Sequence, residues 1–399
     1  MDPQRFRNST AGQVIRVGEG EAAYWAFVPN PLPPKLRIDW PLAKALSEAD
    51  RALAELSGLG RTIPNPHLLI GPFIRREAVL SSRIEGTQAD ITDLYAYEAR
   101  QLPLPGIEVP PSEADVREVL NYVNALEYGL ERLKNLPVSL RLLRELHERL
   151  LAGVRGEHTT PGEFRRTQNW IGPPGCTLKD AVFVPPPVPQ MQEALNALEA
   201  YLHRNDDPYP PLVRLALIHY QFEAIHPFVD GNGRIGRLLI SLLLIQWGLL
   251  PLPLLYLSAY FYRHRQAYYD LLLAVSERGA WRDWVLFFLR GVAEQARDAV
   301  ARARRLQDLR EEWRKRLIHA HTSALTLRLV DELFNTPVLT IPEVQRRLGI
   351  SYPGAKQIVQ KLIQVGVLTP ASDGSYGKTY QAAPILEVLI EEWTPAHAK

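Results

Sequence analysis

The sequence predicts a mainly α-helical protein in three units: an N-terminal helical unit (1–108), a helical core carrying a β-hairpin (109–300), and a linker helix followed by a helix-turn-helix with a two-stranded wing (301–399). Three observations predict it. Apolar residues recur at helical spacing in successive runs, such as Leu42 to Ser57, Leu140 to Leu151 and Arg234 to Trp247. Glycines and capping residues punctuate those runs, with Gly86, Gly248, Gly349 and Gly366 at C-terminal ends and Thr340 and Ser351 at N-terminal ones. With 399 residues, 46% hydrophobic and 23% charged, the chain can bury sizeable cores.

Composition also excludes. A formal net charge of +2 gives no global basic field for nucleic acid and no acidic excess for disorder. The single cysteine, Cys176, rules out an internal disulfide and a cysteine metal cluster, which suits a reducing cytoplasm. Residues Met1 to Phe6 lack the apolar stretch of a signal peptide, and the most apolar run, Leu238 to Ile245, is too short to span a bilayer. No membrane partner is expected, and that run reads as a buried helix.

Taken in order, residues before Pro41 read as an irregular, partly extended arm, because Pro29 to Pro34 cannot form regular helix. Leu42 to Ser57 is a helix closed by Gly58 and Gly60, and a second helix runs from about Phe73 to Glu85, ending at Gly86. Leu102 to Pro111 is a linker, and Ser112 caps the next helix. His147 lies on the Leu140 to Leu151 helix as a packing residue with no assigned role. Gly162 to Gly172 leads into a short strand, Pro173-Pro174-Gly175 is a turn, and Ala181 to Val184 is a second strand, so the pair reads as a β-hairpin. Its edge could take up a target segment by strand addition. Met191 to His203 and Leu212 to Glu223 are amphipathic helices, the latter leading to His226.

The stretch Ile225-His226-Pro227-Phe228-Val229-Asp230-Gly231-Asn232-Gly233-Arg234-Ile235-Gly236-Arg237 concentrates the chemistry. Gly231-Asn232-Gly233 frees the backbone to turn N–H groups toward an anion, and the helix behind it adds its positive dipole end. Arg234 and Arg237, three apart, share a helix face and can fork onto phosphate oxygens. Asp230 is a single hard carboxylate of the kind that holds Mg²⁺ beside a polyphosphate. His226, with an expected pKa near neutrality, could take a proton from an attacking hydroxyl.

Downstream, Tyr268, Tyr269 and Ser276 lie on one helix, and Trp281 to Gln307 is a long helix into the third unit. Thr340-Ile341-Pro342-Glu343 is a capping box, Ser351 starts a further helix, and Val367 to Thr369 and Lys378 to Tyr380 read as strands joined through Ser372-Asp373-Gly374. This pattern resembles a winged helix. Its candidate recognition helix carries only Lys356 and Lys361, so protein contact or dimerisation is favoured over nucleic acid.

From His226 to Arg237 the sequence matches every fixed position of the Fic family signature, His-x-Phe-x-Asp/Glu-Gly-Asn-Gly-Arg-x-x-Arg. The resemblance implies transfer of AMP from ATP to a Ser, Thr or Tyr hydroxyl of a target protein. His226 would be the general base, Asp230 the Mg²⁺ ligand, Gly231, Asn232, Gly233 and Arg234 the α- and β-phosphate cradle, and Arg237 the γ-phosphate ligand. Gly233 stands where related Doc kinases carry lysine, which favours nucleotidyl transfer. Ser81-Ser82-Arg83-Ile84-Glu85-Gly86 resembles the family's inhibitory motif, so Glu85 should meet Arg237 in the γ-phosphate's place. The hairpin, with Val182, Phe183 and Val184, resembles the flap that registers the target side chain. Tyr268 and Tyr269 would border the adenine, and Ser276 stands where the family commonly has Asn near the ribose or base. Family behaviour also implies a homodimer and self-modification as an option. Two alternatives stay open: removal of AMP by the same residues, and a nucleotide-sensing DNA-binding regulator.

Overall fold

The computed structural model describes residues 1–62, 66–100, 113–154, 160–371 and 378–391. The linker expected over 102–111, the Ser112 cap and the turn at Ser372-Asp373-Gly374 lie outside them.

The N-terminal arm is not irregular. Strands β1 (Gly12–Val17) and β2 (Tyr24–Pro29) pair antiparallel, from Gly12 opposite Pro29 to Val17 opposite Tyr24. The prolines control only the segment after Pro29; upstream, β-branched and aromatic residues pleat, and Ala26 and Phe27 are buried.

Helix α1 (Trp40–Thr62) runs straight through Gly58 and Gly60, where the sequence predicts its end. Tertiary packing overrides the local preference: α1 lies along a long C-terminal helix, and Gly60 presents a bare backbone to Pro251, Leu252 and Leu254. Helix α2 (His67–Ile84) begins six residues before the expected Phe73 and contains Pro72. A short helix, α3 (Ile91–Arg100), and a longer one, α4 (Glu113–Arg132), follow and pack on α2.

The core comprises α5 (Leu140–Leu150), α6 (Val188–Leu202), α7 (Pro211–Ile225), α8 (Asn232–Gln246), α9 (Ser258–Arg263) and α10 (Arg265–Arg278). Nearly every residue of α7 is buried, as a helix enclosed on all sides requires. The Trp284 indole, on the long helix that follows α10, ties to α7 by donating to Ala216 O at 2.8 Å. Of the Leu238 to Ile245 run, Leu238 to Leu244 are buried within α8 and Ile245 partly so, and no described helix is long and apolar enough to cross a membrane.

The expected hairpin is reduced to a single antiparallel bridge between Ile171 and Phe183. Its second arm is held from the other side by β2, whose Phe27 N–H donates to Val184 O at 2.9 Å. A strand with both neighbours already supplied cannot lengthen freely at that edge.

Helix α11 (Trp281–His319) extends twelve residues past the expected Gln307. Beyond it come α12 (Ala324–Leu333), β3 (Val338–Thr340), α13 (Ile341–Leu348), α14 (Tyr352–Gln364), β4 (Thr369–Pro370), β5 (Thr379–Gln381) and α15 (Ala383–Ile390). Thr340 and Ser351 cap α13 and α14 as their side chains predict, accepting from Glu343 N–H and Gly354 N–H. The two expected strands begin later, since Val367 and Leu368 are buried under α14, and β5 is the middle of a three-stranded sheet in the order β3-β5-β4. Helix α15 closes back on α2: Arg76 Nε donates to Leu389 O at 3.0 Å, and Arg302 bonds Asp298 on its own helix. One apolar cluster runs from Phe6 to Leu389.

Candidate active site

The site forms where α7 ends and α8 begins. His226 terminates α7 in a left-handed conformation, φ 49° and ψ 60°, uncommon for a non-glycine residue and of the kind kept when the surroundings enforce it. Those surroundings are specific. Its carbonyl accepts from Arg165 Nε at 3.0 Å and Asn169 Nδ2 at 3.3 Å, and Asn169 also donates to Phe228 O at 2.8 Å. Asn232 closes the loop from within, accepting from Phe228 N–H and donating to Phe228 O, each at 2.8 Å.

His226 Nδ1 faces Glu223 O at 3.3 Å. That contact is made by a protonated Nδ1, which leaves Nε2 as the proton-accepting nitrogen. Burial moves its pKa down to about 4 rather than leaving it near neutrality, so the imidazole is neutral at pH 7. The sequence could not supply this, because desolvation is a property of the packed loop.

Gly231 adopts φ 77° as N-cap of α8, and no side chain caps the helix. Its first N–H groups are therefore available to an anion. Arg234 is 5% exposed, with Nε and NH1 buried and without a hydrogen-bond partner among the described residues. Its ion contacts are long, 3.6 Å to Glu118 and 3.7 Å to Asp230. Buried guanidinium donors are ordinarily satisfied, so this arginine suits a ligand with acceptor oxygens.

Arg237 is 2% exposed and fully engaged from α2: Nε donates to Ser81 Oγ at 2.7 Å, and NH2 to Ser81 O at 3.0 Å and Glu85 Oε1 at 2.6 Å. Burial, the largest single effect, opposes its charge, but the Glu85 carboxylate together with Tyr268, Tyr122 and Glu223 outweighs it and holds its pKa above the ordinary value. Glu85 answers in kind: burial raises its pKa, and Arg237 more than reverses this. The same carboxylate lies over Gly233, where any side chain would overlap Oε1. Glu85 thus occupies the space in front of the α8 N-terminus.

Asp230 is 48% exposed in its side chain, and its Oδ1 accepts Gly231 N–H at 2.6 Å. No cluster of three metal-binding side chains is present among the described residues. One accessible carboxylate beside a phosphate cradle fits Mg²⁺, whose other ligands are phosphate oxygens and waters.

Other expected residues fall elsewhere. Ser276 is 2% exposed, with its hydroxyl 2.8 Å from Tyr220 OH inside the core. Tyr268 is buried, its hydroxyl 2.9 Å from His219 Nε2, whereas Tyr269 is 39% exposed beside Arg265. Phe183 and Val184 are buried, Phe183 against Phe6 and Phe27, and only Val182 of the three faces outward. The register was unreadable because the β2 strand that covers this arm is distant in sequence. Arg165, Asn169 and His147 were missed as loop supports; the clustered Phe164-Arg165 and Gln168-Asn169 hinted at them, but nothing local specifies a partner sixty residues on.

Sequence profiles of the Fic/DOC family N-terminal region and of the Fic/DOC family match residues 43–131 and 137–244. The chain is 32% identical over 169 residues to an Aedes aegypti protein named protein adenylyltransferase Fic, covering 42% of this chain and 30% of that one. A Nematostella vectensis protein of the same name is 28% identical over 247 residues, covering 60% and 52%. The chain therefore spans about half or less of these relatives' length. A Fic family protein from Desulfovibrio desulfuricans shares the fold with a TM-score of 0.54 at 20% identity, covering 88% of this chain and 98% of that one.

Proposed function

This chain belongs to the Fic family, and from that premise we propose that it is a protein adenylyltransferase, moving AMP from ATP to a side-chain hydroxyl of a target protein. The observation that carries the reading is a carboxylate, Glu85, held against Gly233 and Arg237 at an otherwise uncapped helix N-terminus. An anion already rests where phosphate would.

In this reading His226 Nε2 accepts the proton of the target hydroxyl as its oxygen attacks the α-phosphorus. The bond to the β-phosphate oxygen breaks and pyrophosphate leaves. The α8 N–H groups and Arg234 receive phosphate oxygens and stabilise charge that grows there. Asp230 would hold Mg²⁺, which when bound offsets phosphate charge. Arg237 can serve a γ-phosphate only after Glu85 withdraws, so the ground state is autoinhibited by Glu85 and Ser81. Tyr269 and Val182, the exposed members of their groups, are the side chains left to meet the nucleotide and the target. The single cysteine supports a cytoplasmic setting. The three-stranded sheet with α13 and α14 supports a winged-helix reading of the C-terminal unit.

The test incubates wild type, Glu85→Gly and His226→Ala with Mg²⁺ and ATP labelled at the α-phosphate, alone and with cell extract. Label on protein, strongest in Glu85→Gly and absent in His226→Ala, is expected. No protein label in any variant would overturn adenylyl transfer.

A further inference from the structure

His147 lies on α5 and is 0% exposed. Its two ring nitrogens nevertheless join two chain segments. Nδ1 accepts the Gly162 N–H at 2.9 Å, at the start of the segment leading to Arg165 and the hairpin. A ring that accepts at Nδ1 carries its proton on Nε2, and Nε2 lies 3.0 Å from the Asp230 main-chain carbonyl, which it meets as donor. The ring also stacks flat on Phe228, 3.8 Å between centroids and 8° between planes. It underlies the left-handed Gly231 as well, within 3.6 Å of where a methyl on that residue would stand. One side chain therefore meets Phe228 and Asp230 O and lies beneath Gly231.

A buried histidine satisfied at both nitrogens can be merely a well-packed core residue. Here the partners decide otherwise. The Asp230 carbonyl is the pivot between the carboxylate proposed for Mg²⁺ and the N–H groups proposed for phosphate. Asn169 and Asn232 fix the loop at Phe228, two residues earlier, and Arg165 fixes it at His226. At Asp230 itself the backbone is fixed by His147. Leucine would fill the space but give Asp230 O and Gly162 N–H nothing.

We infer that His147 is a positioning residue for the proposed transfer: by holding the Asp230 carbonyl against the Gly162 turn, it sets the aim of the Asp230 carboxylate and of the Gly231–Gly233 turn together. It acts through the backbone and touches no reacting atom. The inference rests on the proposed function for its rate readout, and on nucleotide binding alone for its second readout.

The experiment compares His147→Asn and His147→Gln in the Glu85→Gly protein. Asparagine can still accept from Gly162 N–H but is too short to reach Asp230 O; glutamine places an amide oxygen and an amide N–H at about the spacing of the two ring nitrogens. Residues that orient metal or phosphate ligands from behind are commonly worth about 10–100-fold in affinity or activity. Asparagine should therefore raise the Mg²⁺ concentration for half-maximal AMP transfer, and weaken MgATP binding by calorimetry, by about tenfold or more. Glutamine should return both to within about threefold of the parent. Cooperative melting of both variants establishes that folding is retained. Asparagine and glutamine behaving alike, either both like the parent or both impaired, would overturn the inference. If the Glu85→Gly parent labels no protein at all, adenylyl transfer fails as a reading, while the MgATP titrations still decide the role of His147.

Discussion

The Glu85 carboxylate and the Arg237 guanidinium meet at 2.6 Å although they stand 152 residues apart, and Ser81, one turn before Glu85, accepts from the same guanidinium at 2.7 Å. Helix α2 ends at the carboxylate, where its own dipole disfavours negative charge, and Arg237 is what offsets that cost.

Replacing Glu85 by glycine should raise AMP transfer. A hydrogen bond to a charged group is worth about 1.5–3 kcal/mol net, which corresponds to roughly 10–150-fold if release of Arg237 limits productive ATP binding. The initial rate with labelled ATP at saturating Mg²⁺ measures it. A rate equal to wild type would sink the autoinhibitory reading.

Gly233→Ala should behave oppositely, although it also disturbs Glu85. A methyl there overlaps Glu85 Oε1 and comes within 3.0 Å of Arg237 NH1, so it fills the space that an incoming phosphate needs. Calorimetry should show MgATP affinity reduced by about tenfold or more, consistent with the loss of a charge-assisted contact. Transfer activity should fall below wild type rather than rise.

Stability should peak near pH 6.5. His147, His219 and His226 fall to about 4, 3 and 4, chiefly through burial, from 6.5 in the unfolded chain, so each contribution is lost as pH drops below 6.5. Glu77 and Glu223 rise to about 7 and 8, again chiefly through burial, from 4.5, so theirs is lost as pH rises above 4.5. Counting these five groups alone, between 4.5 and 6.5 the unfolded state binds three extra histidine protons and the folded state two extra carboxyl protons. The difference of one gives a gentle rise of about 1.4 kcal/mol per pH unit. Below 4.5 the buried carboxyls no longer offset the histidines and the loss steepens, with Glu145, held down to about 2 chiefly by its Arg132 hydrogen bond, adding to it; above 6.5 the raised carboxyls dominate, and stability declines toward pH 8. Urea midpoints across pH 4–8 would reveal it, and a monotonic rise through pH 8 would contradict the buried carboxyls.

Arg165→Leu should destabilise the fold and abolish transfer together. The guanidinium is 1% exposed and donates to His226 O, Thr167 O and Pro186 O. Leucine strands these carbonyls, at a cost of about 3 kcal/mol or more. A lowered denaturant midpoint with an unchanged slope is the expected signature.

Local chemistry determined much of this protein by itself. Thr340 and Ser351 cap the helices their side chains predict, and the glycine-flanked turn after Asp230 opens a helix N-terminus, because capping and turn preferences act within three or four residues. The pairing of Glu85 with Arg237 was also legible, though only through resemblance to a family motif, since no local rule links residues so far apart.

The remainder needed the folded chain. Gly60 stays helical because α1 is packed against Pro251, Leu252 and Leu254; Ser276 and Phe183 turn inward because Tyr220 and Phe27 wait there. His147, unremarkable on its own helix, becomes a support for Asp230 only when α5 is laid beneath the loop. Burial, not spacing, then moves His226 to a pKa near 4. Periodicity and capping are written into neighbouring residues, whereas desolvation and long-range partners exist only after the helices have packed.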